Sequence, residues 1–273
     1  MSDTSVDTGT TDLIASLDEG VLTLTLNRPE ARNAMSGEMN EGLARMLAWA
    51  ELEPSVKCVV LTGAGNGFCA GGDVKGMAGA GGERPPIDHA IHRQRVNQRA
   101  TSGRLFAMPK PTIAALPGAA AGAGFALALA CDLRIMASTA FLTTAFARVG
   151  FSGDYGGTYF LTNLVGSAKA RELYYLSDRV GAEEALRLGL ANWVVPPEEL
   201  AAWSREIALR LANGPTVAYR YMKENLNRAA SGGDLEDCLD LEVTHHVHCA
   251  ATTDHQEAVK AFVEKREPTF VGR

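Results

Sequence analysis

Residues Lys110–Gly157 read KPTIAALPGAAAGAGFALALACDLRIMASTAFLTTAFARVGFSGDYGG. The order of pieces within this stretch decides the fold. A short apolar run, Thr112–Leu116, leads into a loop of small residues, Pro117–Gly124. An apolar helical segment ends near Cys131, and a second strand-like run follows, Leu133–Met136. Runs of this length bounded by Gly and Pro read as buried strands. Nothing bulky guards the first turn, so a ligand oxygen has access to its N–H groups. A second glycine turn, Gly153–Gly157, carries one carboxylate, Asp154.

Upstream, Val21–Leu26 (VLTLTL) alternates apolar residues with Thr and reads as a strand broken by Asn27-Arg28-Pro29. Ser36 is placed to cap a helix with Met39, Leu43, Met46, Leu47 and Ala50 on one face, ended by Pro54. Lys57–Thr62 reads as a buried strand, and Phe68–Lys75 (FCAGGDVK) as a glycine turn. Residues 76–88 are rich in Gly and Pro, which predicts a surface loop or a pocket lid. Residues 89–107 read as helix. Downstream, Thr158–Leu164 and Ala168–Leu176 read as two helices hinged at Gly166, followed by a short helix Ala182–Leu188 and a short strand Asn192–Val195. From residue 198 every segment reads as helix: 198–212, 215–228, 234–249 and 254–266. Strands and helices thus alternate over the first two thirds, which predicts an α/β core with a helical C-terminal module. The expected division is a frayed tail over 1–11, a core over 12–197 and a helical module over 198–273.

Composition narrows the function class. A chain of 273 residues with 46% hydrophobic and 21% charged residues has enough interior for a sizeable core. The net charge of −6 argues against non-specific nucleic-acid binding and leaves room for a local basic spot that takes a phosphorylated small molecule. Cys58, Cys69, Cys131, Cys238 and Cys249 form no CxxC pair, which predicts free thiols in a reducing compartment. The first residues, MSDTSVDTGTTD, lack the basic and apolar regions of a secretion signal. No apolar run reaches the roughly 18 residues of a membrane span. The expectation is a cytoplasmic protein.

Four groups of residues bear on chemistry. The Gly71-Gly72 pair lets backbone approach a ligand, or is a structural turn. The helix opening at Gly118–Gly124 offers unpartnered N–H groups at the positive end of its dipole, or close packing. Asp154 is a turn residue, or a proton carrier or nucleophile. His245 and His248 share a helix face, but no carboxylate or cysteine stands at ligand spacing, so no metal site is expected.

Seven ordered pieces then carry a resemblance: Leu26-Asn27-Arg28-Pro29 with Asn33-Ala34; Gly67–Asp73; Lys110-Pro111 leading to Gly122-Ala123-Gly124; Ala130-Cys131-Asp132; Gly156-Gly157 with Leu161 and Gly166; Ala185 with Gly189-Leu190; and Ala261–Arg266. Over residues 12–272 the chain resembles the crotonase (enoyl-CoA hydratase/isomerase) superfamily. The resemblance implies a spiral of ββα turns with a helical C-terminal trimerisation module, assembled as a homo-trimer or as a hexamer of two trimers. It implies an acyl-CoA thioester as substrate, CoA being part of the substrate, with no separate cofactor and no metal. It places Gly72 and Ala123 as the two oxyanion-hole positions. Ala70, Gly72, Asp73, Val74 and Lys75 would line the CoA site, with Lys265 approaching its phosphates from the same or a neighbouring subunit.

One departure redirects the reading. Typical hydratases of this family carry two glutamates that hold and activate water; here those positions are Ala126 and Phe146. Neither accepts a proton. Asp154 remains, in a context similar to that of the aspartate-dependent enoyl-CoA and epoxyphenylacetyl-CoA isomerases, though Gly153 stands where these often place Pro. The dehalogenase branch also uses an aspartate here, together with a histidine in the preceding helix, and Arg99 occupies that spacing. The leading expectation is double-bond or ring isomerisation, with Asp154 shuttling a proton and Phe125, Ala126 and Phe146 walling the pocket. The alternatives are a hydratase, lyase or hydrolase with a different activation of water, and a non-catalytic acyl-CoA-binding protein.

Overall fold

The computed structural model describes residues 4–73 and 85–273. In chain order its strands are β1 (Thr4–Val6), β2 (Leu13–Asp18), β3 (Val21–Leu26), β4 (Cys58–Gly63), β5 (Gly67–Cys69), β6 (Thr112–Leu116), β7 (Ala119–Ala121), β8 (Leu133–Ala137), β9 (Phe141–Thr143), β10 (Val180–Gly181) and β11 (Trp193–Val195). Its helices are α1 (Gly37–Leu52), α2 (Ile87–Ala100), α3 (Ser102–Ala107), α4 (Ala123–Ala130), α5 (Gly157–Leu176), α6 (Ala182–Arg187), α7 (Leu200–Ala212), α8 (Thr216–Ala230), α9 (Leu235–Ala250) and α10 (Thr253–Glu264).

The strands form two sheets, one in the order β1-β2-β3-β4-β6-β8-β11 and one in the order β10-β9-β7-β5. From β3 to β11 the large sheet is parallel, and β5, β7 and β9 of the small sheet are parallel too. The chain builds both at once. β4 and β5, β6 and β7, and β8 and β9 each give one strand to the large sheet and one to the small sheet before a helix closes the turn. This is the spiral of ββα turns expected from the resemblance.

Local sequence explains the elements. In β3 the Thr side chains alternate with buried Leu, whereas every residue of β6 is buried, as befits a strand covered on both faces. Ser36 Oγ accepts from Met39 N–H at 3.0 Å, and α1 buries the predicted face from Met39 to Ala50. All eight residues of α4 are buried. The single helix α5 is bent at Gly166, whose φ of 75° and ψ of 163° are not helical, so the expected hinge is present.

Three expectations need correction. The tail over 1–11 is partly ordered, since Thr4–Val6 pairs antiparallel with β2. Of the Gly/Pro segment 76–88, residues 76–84 lie outside the described residues, and Ile87 and Asp88 already belong to α2. Residues 89–107 are two helices, broken at Thr101. The three-residue strands β5, β7 and β9 of the small sheet carry too few residues for a periodic signal, and the sequence reading passed them over. The helix α7 packs on β3, β4, β6 and β8.

Candidate active site

Two backbone turns meet at the start of α4. Asn33, fully buried and at φ 55°, organises the first: its Nδ2 donates to Ala64 O at 2.9 Å and Gly67 O at 2.8 Å, and its Oδ1 accepts from Arg28 N–H at 2.9 Å. The Arg28 guanidinium donates to Ala34 O at 2.8 Å and through two nitrogens to Asp73 Oδ2 at 3.1 Å. These bonds are the physical content of the Asn27-Arg28-Pro29 and Asn33-Ala34 pieces. They hold the segment Ala64–Asp73 in place. Met35 N–H then donates to Gly71 O at 2.8 Å, beside a parallel bridge between Met35 and Gly72.

Gly71 presses against the second turn. Its φ is +90°, and a Cβ there would stand 2.8 Å from Ala121 O and 3.4 Å from Ala123 N, so only glycine fits. Ala123 opens α4, where the first N–H groups have no intrahelical acceptor. The structure therefore brings the Gly71-Gly72 turn to the N-terminus at Ala123. Ala70 and Gly72 are exposed beside it, and Asp73 is half-buried against Arg28. Val74 and Lys75 lie outside the described residues. Lys265 is exposed at the end of α10.

Asp154 sits in a turn of unusual backbone. Gly153, Tyr155 and Gly156 all have positive φ, at 113°, 49° and 78°. For a residue such as Tyr155 this costs about 1–2 kcal/mol. Three contacts offset it: the ring is buried, the N–H donates to Gln98 Oε1 of α2 at 2.5 Å, and the hydroxyl donates to Asn40 Oδ1 of α1 at 3.3 Å. Gly157 N–H donates to Asp154 O at 3.0 Å and starts α5. The Asp154 carboxylate is left with a buried Oδ1 that has no hydrogen-bond partner among the described residues. Burial pushes its carboxyl up to about 6. Such a group is ionised at neutral pH, yet poorly stabilised as an anion, which suits a general base.

Ala126 and Phe146 line one narrow crevice, too tight to admit a water molecule, with Phe125, Leu129, Leu161 and Tyr174. Gly157, at the end of the Asp154 turn, completes its wall. The Thr144 hydroxyl in this wall is engaged by Leu173 O at 2.7 Å, so it is not offered to a ligand. A second and larger cavity, about 800 Å³, adjoins Ala70 and Gly67 and is lined by Arg32, Arg148 and Arg179. The local basic spot expected on an acidic chain has candidates here. Lys265 makes no ion pair in the single chain among the described residues.

His245 is taken up elsewhere. Its ring stacks on Tyr221 at 4.3 Å between α8 and α9, with Nδ1 2.6 Å from Asn225 Oδ1. The sequence reading named Tyr155 only as a neighbour of Asp154 and missed Gln98 and Asn40, which hold Tyr155, and Tyr174, which abuts the turn. Only Tyr155 left a trace, as a bulky residue inside a glycine turn.

Residues 16–273 match the family model described as enoyl-CoA hydratase/isomerase. The chain is 37% identical over 262 residues to the 1,2-epoxyphenylacetyl-CoA isomerase of Escherichia coli, covering 96% of this chain and 98% of that one. It is 34% identical over 248 residues to the short-chain-enoyl-CoA hydratase of Clostridium acetobutylicum, covering 90% and 92%. The crystal structure of an enoyl-CoA hydratase from Bacillus anthracis superposes with a TM-score of 0.89 at 33% identity, covering 96% of this chain and all of that one.

Proposed function

The chain belongs to the enoyl-CoA hydratase/isomerase family, and from that premise we infer that it isomerises an acyl-CoA thioester by moving a proton. The thioester oxygen accepts hydrogen bonds from Gly72 N–H and Ala123 N–H. As Asp154 removes a proton from the acyl chain, negative charge collects on that oxygen as an enolate. The two donors, fixed in advance, stabilise it; losing one such donor costs about 3–4 kcal/mol in comparable sites. Asp154 then returns the proton at another carbon, so the product is an isomer and nothing is added or lost. No cofactor takes part beyond the CoA carried by the substrate. Ala70 and Asp73 line the CoA path. Arg32, Arg148 and Arg179 supply positive charge for its phosphates.

The observation that carries this reading is the crevice shared by Ala126 and Phe146, beside a buried carboxylate whose Oδ1 has no partner among the described residues. Two carboxylates facing that cavity would hold and activate water; an alanine and a phenylalanine exclude it. Among the described residues, Asp154 is then the acid/base group at hand. Phe125, Ala126 and Phe146 are the apolar walls.

Assembly as a homo-trimer, or as two trimers paired, is part of the same proposal. Leu235, Leu239, Val243 and Val247 recur every four residues along α9 and are all more than half exposed, as are Phe262 and Val263 of α10. A stripe of this kind calls for a second copy to cover it. Lys265 follows directly and would reach a neighbour's CoA phosphates. The proposed location is the cytoplasm.

Asp154→Asn tests the chemistry on a 3-enoyl-CoA. Turnover should fall by about 10³-fold or more, within the range for a lost general base. Turnover within a few-fold of wild type would show that Asp154 is not the base. Rapid hydration of crotonyl-CoA by the unaltered protein would instead favour the hydratase reading.

A further inference from the structure

One group at the cavity has no part in the scheme above. Tyr174, in the last turn of α5, lines the cavity with its ring parallel to Phe146, centroids 5.9 Å apart and planes within 11°. Its hydroxyl is lodged against the Asp154 turn. A Cβ on Gly157 would stand 2.6 Å from that oxygen, and one on Gly153 would stand 3.4 Å from it and 3.0 Å from Cε1. A side chain at Gly157 would therefore evict the phenol. The helix end that carries Tyr174 is clamped to the small sheet: Thr144 Oγ1 donates to Leu173 O at 2.7 Å, and Thr143 Oγ1 to Ser177 O at 3.0 Å. Phenol and turn are held in register by the fold.

Neither partner is otherwise engaged. Among the described residues the Tyr174 hydroxyl makes no hydrogen bond, and Asp154 Oδ1 is buried without one. One is a donor, the other an acceptor, and they flank one turn. Burial first, and then the Asp154 charge, push the Tyr174 hydroxyl above its usual range, so it keeps its proton at any working pH. The other titratable group facing Asp154 is Tyr155 of its own turn, whose hydroxyl is already used by Asn40. No lysine, arginine or histidine pairs with Asp154 among the described residues; burial alone sets its carboxyl.

We propose that Tyr174 is a positioning residue for Asp154: its hydroxyl turns onto the ionised carboxylate, fixes one oxygen, and leaves the other for the substrate proton. This rests on Asp154 being the base. When Asp154 takes the proton its charge disappears and the hydrogen bond weakens, so the phenol favours the state of the carboxylate that is ready to react. A donor of this kind lowers the pH at which a carboxyl ionises.

Tyr174→Phe keeps the ring stack and removes the hydroxyl. The acidic limb of kcat/KM on a 3-enoyl-CoA should move up by about one pH unit, the equivalent of about 1.4 kcal/mol. At pH 5 the variant should then be about tenfold slower than wild type relative to its own plateau, with KM within about twofold. A second readout needs no turnover: the titration of Asp154 followed by NMR in resting protein with ¹³C-labelled aspartate should move up by a similar amount. An unmoved limb together with an unmoved titration would overturn the proposal, as would a change confined to KM, which marks a plain wall. Asp154→Asn separates the two ideas. If that variant keeps turnover, the Asp154 reading fails first and the role of Tyr174 falls with it. If Asp154→Asn is inactive and Tyr174→Phe is unchanged, only the Tyr174 proposal fails.

Discussion

Ala126 and Phe146 line the same narrow cavity from different elements, Ala126 from the middle of α4 and Phe146 from the short 3-10 segment Phe146–Val149 after β9. Adding water to a double bond needs a site that holds the water and a base that takes its proton. Neither side chain does either. The protein should therefore isomerise a 3-enoyl-CoA at least about 100-fold faster than it hydrates crotonyl-CoA, the low end of what a general base contributes. Loss of the enoyl absorbance of crotonyl-CoA gives the second rate. Comparable rates would mean that water is activated by another group.

Asp154 also predicts a dependence of stability on pH. Burial raises its carboxyl to about 6 in the folded protein, against about 3.9 in the unfolded chain. The folded state thus binds the proton more tightly, and stability falls as pH rises from about 4 to about 6. Asn has no charge to bury. Asp154→Asn should exceed wild type by on the order of 2 kcal/mol at pH 8, after discount for partial exposure, and by nothing at pH 4. Urea unfolding at the two pH values measures this. The kcat/KM of wild type should meanwhile drop below about pH 6. Equal stability of the two proteins at pH 8 would mean that the carboxylate is better solvated than its burial implies.

The parts of this site that were legible in sequence are the backbone parts. Glycine at 71, 122 and 124 marks close approach whatever the fold, and the Thr/Leu alternation of Val21–Leu26 marks a strand. Asp154 stood out as a carboxylate among glycines. Its setting did not. Tyr155 is held by Gln98 and Asn40, which lie 57 and 115 residues away in the chain, and Tyr174 meets the turn only because α5 folds back over β9. A side chain whose partner is set by tertiary packing leaves no local period to read. The small sheet was missed for a related reason: β5, β7 and β9 are three residues each, and their register comes from neighbouring turns of the spiral.

Gly71→Ala tests the meeting of the two turns. A methyl at φ +90° would press on Ala121 O and Ala123 N, and the backbone must shift to admit it. The cost to stability should be about 1–3 kcal/mol. The larger effect should be on kcat, a fall of about 10²–10³-fold, because the two N–H groups lose their common focus. Binding of free CoA, which has no thioester oxygen, should change little. A variant that loses CoA binding and keeps kcat would assign Gly71 to the CoA path instead.

Lys223 tests how the C-terminal helices are tied to the core. This buried side chain on α8 donates to Leu105 O at 2.9 Å, Lys110 O at 3.3 Å and Asp132 Oδ2 at 2.9 Å. Asp132 also accepts from Thr112 N–H at 2.7 Å and from its hydroxyl at 2.9 Å. The Ala130-Cys131-Asp132 piece is thus a structural joint between β6, the end of α4 and α8. Lys223→Met should cost about 3 kcal/mol, the low end for breaking a buried ion pair, because Thr112 keeps Asp132 partly satisfied. Asp132→Asn should cost less, since an amide oxygen still accepts. The double variant should be less destabilised than the sum of the two by about 1 kcal/mol or more, because each single change leaves the other's partner stranded. Thermal and urea unfolding measure all three. None of these partners touches Asp154, Gly72 or Ala123, so kcat of the folded protein should stay within about twofold. A strict sum of the two single losses would mean that Lys223 and Asp132 act through separate contacts and do not form one joint.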